Sequence, residues 1–180
     1  MEKRHILLCG HRGVGKSTLI RKLLEDAGLP VYGFMTKSTH YREDGYHDIY
    51  IHPAEVPEEQ WIMTEENWIG DCNTRHRHIN IDAFEQIGVP LLRAAGKDGI
   101  IVMDELGFME AQAPIFRSEV LKRMNEDAHI IASIKDRDDI EFINEIRACE
   151  KAQVYDIDKD NRDALYEELK AVVKAWHPHP

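Results

Sequence analysis

The chain has 180 residues, 43% hydrophobic and 31% charged, the balance of a globular protein long enough to bury one core without staples. A formal net charge of -10 argues against a broad nucleic-acid or anionic-membrane surface, which calls for a basic field, but leaves room for one nucleotide held by a few local donors. Cys9, Cys72 and Cys149 are widely spaced without a CxxC pair, no apolar run approaches the roughly 18 residues of a spanning helix, and the apolar run at residues 6–9 is too short for a signal peptide, so a reducing, cytoplasmic setting is expected.

Residues 5–9 (HILLC) form a short apolar run ending at Gly10, the pattern of a buried parallel strand. Leu19, Ile20, Leu23, Leu24 and Ala27 then recur at helical spacing, with Gly28 and Pro30 as a stop. Residues 31–36 (VYGFMT) read as a strand, and 37–52 as an antiparallel excursion turning at Glu43-Asp44-Gly45. The acidic stretch 53–72, with Pro53, Pro57, Trp61 and Trp68, reads as an irregular loop or lid-like insertion, and 77–81 as a short strand. Asp82 and Glu85 form a possible capping pair for a helix through about residue 95, bent or split at Pro90 and ended by Gly96.

Residues 100–103 (IIVM) give a second buried strand, followed at once by Asp104 and Glu105. Pro114 suits the first turn of a helix whose inward residues are Ile115, Phe116, Val120, Leu121 and Met124. Residues 129–134 read as a strand, Ile140, Ile143 and Ile146 as a helix, and 153–157 as a last strand. The closing helix carries Leu165, Leu169, Val172 and Val173, with Asn161 as cap. This alternation predicts one α/β domain over residues 1–180, with a mostly parallel sheet, helices on both faces and an antiparallel hairpin near residues 31–52.

The chemistry enters at residues 10–17, GHRGVGKS, which match G-x-x-x-x-G-K-[ST] at every fixed position, with a strand before and a helix after. Gly10, Gly13 and Gly15 let the backbone of His11, Arg12 and Val14 curl so that N–H groups face a β-phosphate. Lys16 places charge on the β- and γ-phosphates, Ser17 can ligate Mg²⁺, and Thr18 continues the first helical turn, whose dipole favours anions. Such a loop needs a carboxylate from a neighbouring strand end. Asp104 is expected to take the Mg²⁺ side and Glu105 to face the attacking water, which favours hydrolysis over kinase chemistry. Lys16 and Glu105 are thus the expected catalytic pair.

Ten histidines include no H-x-x-x-H pair; His76 and His78 alternate on a strand, and His177 and His179 lie in a Pro-rich tail. Trp61 and Trp68 are expected to pin the insertion rather than stack a base. Arg12, Arg42 and Arg162 are the candidate γ-phosphate contacts, and Asp136, Asp138 and Asp139 read as a solvated loop or helix start. No Asn-Lys-x-Asp guanine reader follows Asp104; residues 135–138 are Lys-Asp-Arg-Asp. No segment points to a protein partner.

Taken together, GHRGVGKSTLI, Gly33-Phe34-x-Thr36, Asp82-x-Phe84-Glu85, MDELGFME (103–110) and Asp160-Asn161-Arg162 resemble, nearly end to end, the small stand-alone P-loop nucleoside-triphosphatases that include the cancer-related nucleoside-triphosphatase. The resemblance implies a RecA-like sheet and slow, Mg²⁺-dependent hydrolysis of several nucleoside triphosphates, ATP and GTP among them. Phe108 stands where that family usually has lysine, and His11-Arg12 replace its more usual Pro-Pro type pair. Two alternatives stay open: a small kinase with a phosphoryl acceptor held by residues 53–72, and a nucleotide-switched adaptor whose turnover is a timer.

Overall fold

β1 (His5–Cys9) is buried at every position. Apart from His5, whose ring bonds the Met124 carbonyl, it is apolar, as suits a strand packed on both faces, and it sits inside a parallel arrangement, paired with β7 (His129–Ile134) on one side and β8 (Ala152–Asp156) on the other. The computed structural model describes residues 3–177. β7 also pairs in parallel with β6 (Ile100–Leu106), and β6 with β2 (Val31–Ser38). From β2 outward the sheet turns antiparallel through β3 (His47–Pro53), β4 (Trp68–Cys72) and β5 (Arg77–Ile79). Among the described residues this makes one eight-stranded mixed sheet in the order β5-β4-β3-β2-β6-β7-β1-β8.

Helices cover both faces. On one, α1 (Lys16–Ala27) and α7 (Arg162–Lys174) bury Leu19, Ile20, Leu23, Leu169 and Val173 against Ile6, Leu8 and Val102. On the other, Leu7, Phe34, Ile51 and Met103 meet α2 (Ile81–Ala83), α3 (Val89–Arg93), α5 (Pro114–Asn125) and α6 (Glu141–Arg147). Phe116 centres that layer, its ring centroid 5.2 Å from Phe34 and 5.3 Å from Phe84.

The expected excursion is present, with Gly45 at φ +80° in its turn, but it is larger than a hairpin. Residues 68–72, read as loop, form β4. The Trp68 indole N–H donates to Asp48 across the sheet at 2.9 Å, a contact 20 residues away in sequence. Before it, Glu58–Gln60 makes a single 3₁₀ turn, and Trp61 stacks on His52 at 4.3 Å, so both tryptophans pin the segment as expected. The Asp82–Glu85 capping pair does not form. Asn80 caps instead, its side chain accepting from Ala83 N–H, and Glu85 accepts from Ile115 N–H at the start of α5. The helix stays continuous around Pro90 because a π turn (Phe84–Gly88) joins α2 to α3, placing Pro90 in the first turn of α3, where its missing N–H costs least. Ile115 faces out, at 52% exposed, whereas Phe116, Val120 and Met124 point in. Asn161 stands at the N-cap of α7 but binds the loop, accepting from Asp158 N–H and donating to Asp156 C=O. His179 lies outside the described residues.

Candidate active site

The C-terminal ends of β1, β6 and β7 open on one cleft of about 650 Å³, at the sheet edge where open α/β folds bind ligands. Gly10 leaves β1 so close to the last loop that a Cβ would stand 2.3 Å from the Ile157 carbonyl oxygen. Gly13 and Gly15 have φ of +83° and +106°, values that disfavour any side chain. The curl delivers Lys16 into the loop mouth, buried, its ammonium donating to the carbonyls of Gly10 at 2.5 Å and His11 at 3.1 Å. No side chain caps α1, so its first N–H groups are left to the cleft.

β6 supplies the carboxylates. Asp104 is 4% exposed; Oδ1 accepts from the Ser133 hydroxyl of β7, and Oδ2 is buried without a hydrogen-bond partner. Burial pushes the Asp104 carboxyl above the usual range, opposed by the neighbouring hydroxyls of Ser133 and Ser17. Glu105 lies between two cations, Lys16 at 3.5 Å and Lys135 at 2.5 Å. Just beyond, α4 (Phe108–Ala111) buries Glu110, whose carboxylate accepts from Gly107 N–H at 2.9 Å. Burial, helped by the nearby Glu105 charge, raises its pKa to about 7.

The far wall comes from the antiparallel extension. His47, Cys72 and Arg77 are register partners in one row across β3, β4 and β5, and all three line the cleft. Cys72 Sγ and His47 Nε2 are 3.0 Å apart. Burial pushes the Cys72 thiol up and the His47 imidazole down. Phe108 lines the same cleft, with the Arg77 guanidinium over its ring at 5.0 Å.

Of the residues expected from sequence, Gly10, His11, Arg12, Gly13, Gly15, Lys16, Ser17, Thr18, Asp104 and Glu105 all line this cleft. Val14 packs inward under the loop. Arg162 lies outside the cleft lining, behind the loop, where its Nη1 would be 3.7 Å from a Cβ on Gly15. Arg42 is in the turn between β2 and β3, paired with Asp44, Asp48 and Asp71. Sequence reading missed Lys135, Glu110 and Arg77. Lys135 had a usable signal, since it follows an apolar strand as directly as Gly10 follows β1. Arg77 had none, because its place depends on two non-local strand pairings.

The sequence model described as NTPase matches residues 5–170. The chain is 32% identical to nucleoside-triphosphatase THEP1 of Thermotoga petrophila, covering 94% of this chain and 92% of that one. It is 29% identical to the cancer-related nucleoside-triphosphatase homolog of Mus musculus, over 96% and 97% of the two chains. The crystal structure of THEP1 from the hyperthermophile Aquifex aeolicus superposes with a TM-score of 0.73 at 26% identity, covering 94% of this chain and 99% of that one. By fold, loop and similarity along nearly its whole length, the chain belongs to the NTPase family.

Proposed function

We propose that this chain is a single-domain nucleoside-triphosphate phosphohydrolase that cleaves ATP, GTP and related triphosphates to the diphosphate and phosphate with Mg²⁺. The observation that carries it is the Lys16–Glu105–Lys135 chain of contacts at the phosphate loop, which holds a carboxylate in the cleft between two cations. The finer RecA-like reading is supported by β7 lying between the loop strand β1 and the acid strand β6.

Each role follows from position. The loop N–H groups and Lys16 would bind the β- and γ-phosphates, with Arg12 at the loop tip. The unpartnered Asp104 Oδ2, with the Ser17 hydroxyl nearby, fits the donor set of a hydrated Mg²⁺, which would supply positive charge to the phosphates when bound. Glu105 would orient and deprotonate the attacking water, and Lys135 would hold that carboxylate in place. Against the kinase alternative, Cys72 is the one residue of 53–72 that lines the cleft, and the segment before it is folded back, with the Trp61 indole N–H bonded to Val56 C=O.

Lys16→Ala tests the loop assignment. It removes the charge while leaving the glycine curl, so triphosphate affinity and phosphate release should both fall almost to background. Turnover at the parental rate would place the phosphates elsewhere.

A further inference from the structure

Lys16, Ser17 and Asp104 all approach from the loop side of the cleft, and Glu105 adds a negative charge there. An oxygen of a γ-phosphate facing the opposite wall would lie where the charges of Arg12, from the loop tip, and Lys135 also reach. That wall carries a cation. Arg77 extends from the edge strand β5 in the His47–Cys72–Arg77 row, while its neighbour His78 turns to the other face and pairs with Asp71 at 2.6 Å. Among the described residues no carboxylate pairs with Arg77; its guanidinium rests only on the Phe108 ring. The Cys72 thiol, on the same wall, feels the positive charges of Arg77, Arg12 and Lys135 together, so these cations converge on one region. A cation–π contact at an exposed ring is weak beside a charge-assisted hydrogen bond to phosphate, so a phosphate oxygen would win the guanidinium from the ring.

We propose that Arg77 is a catalytic residue of this site, one that donates from the far wall to a non-bridging γ-oxygen as the triphosphate is cleaved. The step rests on the hydrolase reading above. Water oxygen bonds to Pγ while the bond from Pγ to the bridging oxygen breaks; the electron pair leaves on the diphosphate and the water proton passes to Glu105. Negative charge on the γ-oxygens is met by Lys16 on one side and Arg77 on the other. Phe108 holds the guanidinium in reach between turnovers.

The test compares wild type, Arg77→Ala and Arg77→Lys in three assays: single-turnover phosphate release, affinity for a non-hydrolysable triphosphate, and trapping of the diphosphate by aluminium fluoride. Arg77→Ala should slow release by about 10²-fold or more, because a guanidinium on the transferring phosphoryl acts mainly in the transition state. Its affinity for the non-hydrolysable triphosphate should stay within about threefold of wild type, and aluminium fluoride trapping should disappear. Arg77→Lys should fall between the two. Arg77 is exposed, so unchanged thermal melting is expected in both variants. Release and trapping at wild-type levels in Arg77→Ala would overturn the proposal. So would a rate lost only in proportion to ground-state affinity. A wild-type protein that releases no phosphate would instead overturn the hydrolase reading itself.

Discussion

Asp104 and Glu105 are adjacent in sequence but sit in opposite environments. Asp104 is fully enclosed and held by Ser133, whereas Glu105 reaches into the cleft and touches two ammonium groups. Different environments predict different defects. Glu105→Gln should keep affinity for the Mg²⁺–triphosphate and lose hydrolysis by roughly 10²-fold or more, the scale of a positioned base. Asp104→Asn should instead weaken the response to Mg²⁺, shifting the metal titration to higher concentration. Equal loss of binding in both variants would contradict the division of labour, and unimpaired single-turnover hydrolysis in Glu105→Gln would move the base to another residue.

At the scale of elements, legibility tracked the range of the deciding contact. β1, β6 and β7 were readable because strands buried on both faces are mostly apolar runs, and the site residues lie directly after β1 and β7 and in the last residues of β6. β4 was not, because Trp-Ile-Gly-Asp-Cys has no strong strand pattern and is held by pairing with β3 and by the Trp68–Asp48 bond. The Asp82–Glu85 spacing suggested a local cap, yet Glu85 serves the N-terminus of α5, 30 residues on. The far wall of the cleft, and Arg77 with it, was hidden for the same reason. α4 adds a testable consequence. Glu110 has a folded pKa of about 7 against an ordinary 4.5, so between those values the folded protein keeps a proton that the unfolded chain releases. That contribution is full below the lower value and is lost as pH rises through the upper one. Glu110→Gln keeps an acceptor for Gly107 N–H but cannot ionise. Thermal melting from about pH 5 to about pH 8 should therefore show the variant gaining on wild type as pH rises. Parallel curves would show that Glu110 does not titrate in this window.

Over the whole molecule, the sheet divides the labour. The parallel half carries the phosphate loop, the acids and Lys135, while the antiparallel extension closes the cleft from the far side and supplies Arg77. Among the described residues no helix is long and apolar enough to cross a membrane. Among the described residues, the cationic side chains that follow the last parallel strands offer no buried reader for a base: Lys135 is engaged with Glu105, Arg137 with Asp139, and Arg162 is exposed. A site of that kind separates purines by about 1–2 kcal/mol at most. The most direct measurement is steady-state phosphate release from each common nucleoside triphosphate, with Mg²⁺ and with a chelator in its place. Hydrolysis at this cleft predicts release from all of them, kcat/KM for ATP and GTP within about tenfold of each other, and loss of activity with chelator. No release from any triphosphate, or release indifferent to the chelator, would contradict it.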